Sequence, residues 1–150
     1  SFSQEKINLF NRHKLERGLS PNERAYSKEQ YERWFLDTCT DTREFRYYLG
    51  NKLIGVSILD FGEQDISSVY FYFDPEYSNR SLGNFSVLFE VEWMKQQHMR
   101  FYYLGLYVAE CSHLNYKARF YPHHRLIQGS WRLFPNRGTG VFETTVVDEG

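Results

Sequence analysis

A chain of 150 residues, 41% of them hydrophobic and 19% aromatic, is long and apolar enough to bury the core of one domain, which excludes a largely disordered chain. The formal net charge of -1 excludes a protein that coats nucleic acid by charge alone. Cys39 and Cys111 are too few for a disulfide framework and lack metal-ligand spacing, and no apolar run approaches the length of a membrane-spanning helix. We therefore expect residues 1–150 to form one soluble, cytoplasmic domain with no metal site and no membrane partner.

The first part of the chain is predicted to form two helices. Residues 3–18 place apolar side chains at helical spacing and end in Gly18, which suits a C-terminal cap. Residues 27–38 are predicted to form the second helix, because Ser27 and Gln30 make a capping box ahead of an aromatic face.

From residue 41 onward the hydrophobic period changes from about 3.6 to about 2, which predicts strands. Two of them flank Gly50-Asn51, a glycine-first connection of two residues that suits a hairpin. The other strand-like segments are residues 66–73, 100–108, 130–134 and 141–147.

A helix is predicted between the third and fourth of these strands. Its apolar stripe is wide enough to indicate deep burial. The side chains expected on the buried face are Phe85, Leu88, Phe89 and Trp93, with Val91 and Met94 beside them.

The start of this helix suits an anion. The first backbone N–H groups of a helix have no intrahelical partner and lie at the positive end of the macrodipole. With Arg80 just before them, Ser81 and Gly83 are expected to form a phosphate site. The alternative is an ordinary helix cap beside a solvated arginine.

The order of the elements predicts an α+β fold, in which a mixed central sheet carries one buried crossover helix. This order is similar to that of GNAT-type acyltransferases. In those proteins the phosphates of the donor bind at the turn between the third strand and the crossover helix. A fold alone does not define a function.

Charge is distributed unevenly along the chain. Between residues 110 and 140 the only acid is Glu110, and three histidines are present. The basic residues there are Lys117, Arg119, Arg125, Arg132 and Arg137. This segment is expected to face the phosphates of a nucleic acid.

Two stretches, YFDPEYSNRSLGNFSVLFEVEW and YYLGLYVAECSHLNYKARFYP, resemble the C-terminal half of aminoacyl-tRNA protein transferases. This family comprises eukaryotic arginyltransferases and bacterial leucyltransferases that act on N-terminal Asp or Glu. The resemblance runs from about residue 10 to residue 134. The matching motifs are Arg12-His13, Asp74-Pro75, Ser81-Leu82-Gly83, Tyr103-Leu104-Gly105, Cys111, Asn115-Tyr116-Lys117 and Pro122.

The chain departs from the family pattern in two ways. Family members usually carry a separate cysteine-rich domain ahead of this part, and we expect that domain to lie outside this chain. The bacterial members tend to have P-x-E-L-L where this chain reads PHHRL, so that His124 and Arg125 replace an acid and a leucine.

The resemblance implies transfer of an amino acid, leucine or arginine, from aminoacyl-tRNA to the N-terminal α-amine of a protein or peptide. The acceptors are expected to begin with Asp or Glu, as in N-degron tagging. The ester is already activated, so aminoacyl-tRNA is a co-substrate and no other cofactor is expected. What the protein must supply is positioning, proton handling and oxyanion stabilisation.

Residue roles follow from the matching positions, from the start of the crossover helix and from the basic segment. Asp74, at the end of a strand, would orient the attacking amine, or it would only form an Asp-Pro turn. Tyr107 and Tyr116 are expected to be catalytic with Asp74, although packing is the alternative for each tyrosine. The residues expected to bind the donor tRNA and its aminoacyl group are Arg80, Ser81, Leu82, Gly83 and Arg125. Those expected to bind the acceptor are Asn115, Lys117 and Arg119.

Two other functions stay open at this point. One is an acyl-CoA-dependent GNAT acetyltransferase, although Phe85 stands where the usual phosphate loop has a small residue. The other is a noncatalytic domain that binds acidic N termini.

Overall fold

The computed structural model describes residues 1–138 and 142–143. Within it the chain divides into two compact units, Ser1–Gly105 and Leu106–Gly150. The expected organisation as a single domain stays a prediction. None of the helices in the described part is long and apolar enough to cross a membrane.

The first unit is an α+β unit built on a mixed four-stranded sheet. Its helices are α1 (Gln4–Glu16), α2 (Lys28–Phe35) and α3 (Leu82–Gln96), and its strands are β1 (Asp41–Leu49), β2 (Lys52–Phe61), β3 (Asp65–Phe73) and β4 (Phe101–Tyr103). The sheet order is β1-β2-β3-β4, antiparallel except for the parallel pair β3–β4. Helix α3 makes the crossover between these two parallel strands, preceded by a 3-10 helix over Pro75–Arg80.

The second unit contains an antiparallel sheet of three strands. These are β5 (His123–Ile127), β6 (Ser130–Phe134) and β7 (Phe142–Glu143), in the order β5-β6-β7. A 3-10 helix over Asn115–Arg119 precedes them.

Most elements predicted from the sequence are confirmed. Helix α1 ends at Glu16, with Gly18 in the left-handed conformation two residues further on, and the capping box of α2 is formed in both directions. Gly50 and Asn51 join β1 to β2. Strand β6 matches residues 130–134, while β7 accounts for part of 141–147 and the rest of that segment lies outside the described residues.

Two strand predictions need correction. The strand expected over residues 100–108 is only three residues long, and it pairs with β3 at Asp65, Ile66 and Ser67 alone. The remaining length of that edge of β3 has no strand beside it in the described part of the chain. Strand β5 was not predicted, because its histidines and arginine hide the alternation of a strand. A two-residue turn, Gln128-Gly129, joins it to β6 with positive φ at both residues.

The core between α1, α2 and the sheet is aromatic. Phe10 of α1 has no exposed surface, and its ring contacts those of Tyr26, Tyr31, Trp34, Phe35, Tyr70 and Tyr72. The ammonium of Lys14 lies 5.3 to 5.8 Å from the centroids of four of the rings in this cluster. This contact explains why a lysine occupies the apolar face of α1.

The crossover helix packs by a different face from the one predicted. Phe85, Leu88 and Phe89 are exposed by 51%, 60% and 46%, so assigning them to the buried face was wrong. The buried side chains are Leu82, Ser86, Val87, Glu90 and Met94. Leu82, Ser86, Glu90 and Met94 recur every four residues, so the buried face of the helix includes a glutamate.

The reason lies in the hydroxyl groups beneath the helix. Glu90 accepts a hydrogen bond from Tyr47 of β1 at 2.7 Å, and it also accepts hydrogen bonds from Ser57 of β2 and Tyr102 of β4. Buried hydroxyls without an acceptor destabilise a fold, and three of them meet at this point. The carboxylate therefore faces the sheet, which turns the Phe85–Phe89 side of α3 outward.

Glu90→Gln is expected to change how stability depends on pH. Burial raises the pKa of Glu90, although hydrogen bonds from Ser57, Tyr102 and Tyr47 oppose the rise. The folded chain thus holds this proton to a higher pH than the unfolded chain. The contribution of Glu90 to the free energy of unfolding is full below the unfolded pKa of about 4.3 and is lost as pH rises through the folded pKa.

Urea unfolding at several pH values measures this effect. The wild-type stability relative to Glu90→Gln should fall as the pH rises from about 4 to about 7. Glu92→Gln, an exposed change on the same helix, should show no such trend. A difference between wild type and Glu90→Gln that is constant over this range would contradict the prediction. Glu90→Ala leaves the three hydroxyls unpaired and should lower stability by about 3 kcal/mol.

Candidate active site

Asp74 organises the turn between β3 and α3. It is 1% exposed, and its Oδ1 accepts the backbone N–H of Glu76 at 3.2 Å, which caps the 3-10 helix. Arg12 of α1 binds both carboxylate oxygens, from Nη1 to Oδ2 and from Nη2 to Oδ1, at 3.0 Å each. Nζ of Lys52, at the start of β2, lies 2.9 Å from Oδ2.

These contacts keep the Asp74 carboxylate ionised. Burial opposes ionisation, but hydrogen bonds from Lys52 and the Glu76 amide, together with the charge of Arg12, outweigh it and hold the pKa of Asp74 below its usual range. Hydrogen bonds to Asp74 and Glu76 raise the pKa of Lys52 in turn. The four donors fill the acceptor positions of the carboxylate, so the observed role of Asp74 is to anchor the turn. Its predicted role in catalysis is not tested by this geometry.

His13 holds the end of β3 beside Asp74. It is 1% exposed, and its Nδ1 lies 3.1 Å from both the backbone N and O of Phe73. Arg17 donates from Nη1 towards Nε2 of His13 at 3.2 Å, since a guanidinium has no acceptor. The Arg12-His13 pair of the family resemblance therefore fastens α1 to the residues that precede the turn.

The first turn of α3 is open, as the sequence predicts. Ser81 adopts a left-handed conformation, with φ 53° and ψ 42°, and its side chain makes no capping bond. Its carbonyl accepts hydrogen bonds from the N–H groups of Asn84 and Phe85. The N–H groups of Leu82 and Gly83 precede these bonds and have no partner within the helix. A Cβ added to Gly83 would meet no atom within 4 Å.

Arg80 lies next to these amides and is exposed, with its guanidinium 5.8 Å from the ring centroid of Tyr77. The structure thus brings together the predicted donor-binding residues Arg80, Ser81, Leu82 and Gly83. Two free amides, the positive end of a helix dipole and a guanidinium make this a suitable place for a phosphate group.

The remaining predicted residues all belong to the second unit. Lys117 donates from Nζ to the carbonyl of Leu106 at 3.0 Å, and burial lowers the pKa of Lys117. Asn115 donates from Nδ2 to the carbonyl of Ala109 at 3.4 Å. Both side chains fix the irregular segment that follows β4, whereas Arg119 is exposed.

Tyr107, Tyr116 and Arg125 make aromatic contacts within this unit. The ring of Tyr116 lies edge-on to Phe120 with centroids 6.4 Å apart. The guanidinium of Arg125 lies over Tyr107, with Cζ 4.3 Å from the ring centroid, and over Phe134 at 4.1 Å. The predicted roles of these residues stay predictions.

Sequence reasoning missed several residues of both units. Lys52 gave a weak signal, as a basic residue directly after the predicted hairpin turn. Arg12 was noted only as part of a matching motif and His123 only as one of the histidines of the basic segment, while Phe134 gave no signal. Within residues 1–138 and 142–143, no group of three or more His, Cys, Asp and Glu side chains is placed to hold a metal ion.

Two solved structures share the fold. The N-acetyltransferase PaiA from Thermoplasma acidophilum, in complex with coenzyme A, matches with a TM-score of 0.57 at 18% identity, covering 85% of this chain and 87% of that protein. The ribosomal-protein-S18-alanine N-acetyltransferase from Escherichia coli matches with a TM-score of 0.53 at 12% identity, covering 82% of each chain. The chain therefore has the α+β fold of the GNAT acyltransferases, as predicted.

Within this fold class the family is also defined. Residues 5–127 match the family model described as arginine-tRNA-protein transferase, C terminus, and the chain belongs to this family. The resemblance seen in the sequence is thereby confirmed.

Relatives in three bacteria are named aspartate/glutamate leucyltransferase. The protein from Acinetobacter baumannii is 34% identical over 130 residues, which is 87% of this chain and 48% of the relative. That from Marinobacter nauticus is 33% identical over 132 residues, 88% of this chain and 56% of the relative. That from Aeromonas hydrophila is 43% identical over 82 residues, 55% of this chain and 34% of the relative. The chain spans about half the length of the first two.

Asp74→Asn is expected to lower the free energy of unfolding. The contribution of Asp74 changes with pH in the opposite direction to that of Glu90. Because the folded pKa of Asp74 is depressed, its contribution is present above the unfolded pKa of about 3.9 and is lost as pH falls through the folded pKa. At neutral pH the variant should lose about 2 kcal/mol, and the loss should shrink in acid.

Urea unfolding at neutral and acidic pH tests this, with Asp41→Asn as the matched control. Asp41 pairs with Arg43 on the surface, where both side chains are about half exposed, so its loss should change stability little. Equal effects of the two changes at neutral pH would show that burial of the Asp74 cluster contributes nothing.

Proposed function

We propose that this chain transfers an amino acid from aminoacyl-tRNA to the N-terminal α-amine of a protein or peptide that begins with Asp or Glu. The observation that carries the proposal is the open start of α3 beside Arg80, in a chain that belongs to this transferase family. The names of the bacterial relatives favour leucine as the amino acid transferred. We also propose a cytoplasmic location, where aminoacyl-tRNA is available, and a role in N-degron tagging.

The donor would bind at the start of α3. A phosphate of the terminal nucleotides would accept hydrogen bonds from the Leu82 and Gly83 amides, and Arg80 would pair with the same phosphate. Ser81 contributes its left-handed backbone, and its carbonyl accepts from Asn84 and Phe85 rather than from Leu82 or Gly83. The absence of a side chain at Gly83 lets the donor approach the backbone.

The reaction needs positioning more than strong acid–base catalysis. An α-amine has an ordinary pKa of about 7.7 to 8.0, so a fraction is neutral near pH 7 and can attack the ester carbon. The C–N bond forms, the ester C–O bond breaks, and the 3′ or 2′ hydroxyl of the tRNA leaves with a proton. Tyr107 and Tyr116 are the candidates to donate a hydrogen bond to the carbonyl oxygen as it gains charge.

Asp74 would act in this scheme as a positioning residue. Its oxygens are held by Arg12, Lys52 and the Glu76 amide, and that arrangement fixes the turn on which the donor site lies. Among the acceptor residues, Arg119 is the better candidate to bind the side-chain carboxylate, because Lys117 is already bonded to the Leu106 carbonyl.

A transfer assay tests the function directly. The chain would be incubated with labelled leucyl-tRNA, arginyl-tRNA or acetyl-CoA, each with peptides that begin with Asp, Glu, Asn or Gln. We expect label from leucyl-tRNA on the Asp and Glu peptides. Transfer from acetyl-CoA alone would favour the acetyltransferase alternative, and peptide binding without any transfer would favour a noncatalytic domain.

Arg80→Ala is expected to weaken tRNA binding and to lower the salt slope of the binding constant by about one unit, since one phosphate contact is lost. Arg100→Ala is the matched control, because Arg100 is also exposed and also lies over an aromatic ring, that of Phe101 at 5.2 Å. Equal affinities for the two variants at every salt concentration would remove the start of α3 as the phosphate site.

Arg119→Met is expected to abolish the preference for acidic N termini. Loss of a charged hydrogen bond should reduce transfer to the Asp and Glu peptides about tenfold or more, relative to Asn and Gln. Lys117→Met should instead lower transfer to all four peptides equally, because it releases the segment that Lys117 holds. Competition between the four peptides measures both outcomes, and loss of preference in Lys117→Met alone would reverse the two roles.

A further inference from the structure

The guanidinium of Arg125 is clamped by aromatic rings in the second unit. Its Cζ lies 4.3 Å from the centroid of Tyr107 and 4.1 Å from that of Phe134. An arginine stacked in this way has a fixed plane, so it loses little conformational freedom when it binds a ligand.

His123 fixes one edge of the same group. Nε of Arg125 donates to Nε2 of His123 at 3.0 Å, and Nδ1 of His123 lies 2.6 Å from the carbonyl of Phe120. Because the guanidinium can only donate, Nε2 must accept and Nδ1 must carry the proton. The His123 ring also stacks on Phe134, with centroids 5.2 Å apart and planes inclined by 10°.

This histidine is a neutral partner. Burial lowers the pKa of His123, and the charge of Arg125 lowers it further, although the Phe120 carbonyl opposes the shift. The contact therefore positions Arg125 without neutralising its charge.

No carboxylate of residues 106–138 forms an ion pair with Arg125. Glu110 is the sole acid between residues 106 and 138, and no ion pair joins it to Arg125. The contacts described engage Nε and the faces of the guanidinium, which leaves its two terminal amino groups for a ligand. A rigid fork of this kind matches the paired oxygens of a phosphate.

The surroundings favour RNA with unpaired bases. The ring of Tyr121 is 38% exposed and lies 5.0 Å from that of His123, next to the clamp. Unpaired bases stack on exposed aromatic rings, while the phosphates between them pair with arginine. Arg125 also stands where the bacterial members of the family tend to have leucine.

We propose that Arg125, clamped by Tyr107 and Phe134 and oriented by His123, binds a phosphodiester group in the unpaired 3′ end of the donor RNA. This inference rests on the proposed function, since it assumes an aminoacyl-tRNA donor. The guanidinium fork, and not its charge alone, provides the binding.

Binding of deacylated RNA tests the inference without requiring transfer. Two short RNA hairpins would be compared by fluorescence anisotropy at several salt concentrations, one with an unpaired 3′ ACCA end and one with a blunt end. Arg125→Lys keeps the charge but loses the fork, and Arg125→Gln keeps a planar group but loses the charge. Arg33→Lys and Arg33→Gln, at an exposed arginine of α2 outside the basic segment, are the matched controls.

Both Arg125 variants should bind the RNA with the unpaired end about tenfold more weakly than wild type, with unchanged affinity for the blunt RNA. The Arg33 variants should bind both RNAs as wild type does. Wild-type affinity in Arg125→Lys would show that the guanidinium fork is not needed for binding. An equal loss of affinity for both RNAs would show that Arg125 does not recognise the unpaired end. If the wild-type chain transfers leucine and Arg125→Lys still binds normally, only the inference fails. If the wild-type chain distinguishes neither RNA and transfers nothing, the donor proposal fails with it.

Discussion

The junction of helix, hairpin and turn in the first unit depends on one buried carboxylate. Asp74 is bound by Arg12 from α1, by Lys52 from the start of β2 and by the amide of Glu76 from the turn itself. A helix, a hairpin and a turn that are distant in the sequence therefore meet at two oxygen atoms. Because the two cations are each about half exposed, they donate to Asp74 while keeping part of their hydration, which limits the cost of burying the charge.

A second buried carboxylate decides how the crossover helix lies on the sheet, and it shows where sequence reasoning reaches its limit. The hydrophobic period and the turn residues were sufficient to predict α1, α2, the hairpin and the existence of α3. They did not predict which face of α3 is buried, because counting apolar residues takes no account of hydroxyl groups on other elements. Tyr47, Ser57 and Tyr102 come from three different strands, and only the folded sheet brings them to Glu90.

In the candidate site, too, features set by neighbouring residues could be predicted, and contacts between distant residues could not. The open start of α3 could be predicted, since a serine and a glycine beside an arginine are local signals. The bond between Arg12 and Asp74 could not, because 62 residues separate them and nothing in either segment identifies the other. The clamp around Arg125 was hidden for a further reason: it requires the β5–β6 hairpin, whose first strand lacks a hydrophobic alternation. Resemblance to a family pointed to some of these residues but not to their partners.

The short pairing of β3 with β4 has a consequence for self-association. A sheet edge without a neighbouring strand exposes backbone groups to which a strand of another molecule can add, which is a common route to aggregation. Beyond Ser67 the edge of β3 has no strand beside it in the described part of the chain. At Phe73 the imidazole of His13 occupies the place of that strand, because Nδ1 contacts both backbone atoms. A side chain of α1 thus ends the open edge one residue before Asp74, and a strand added by another copy would stop short of the turn.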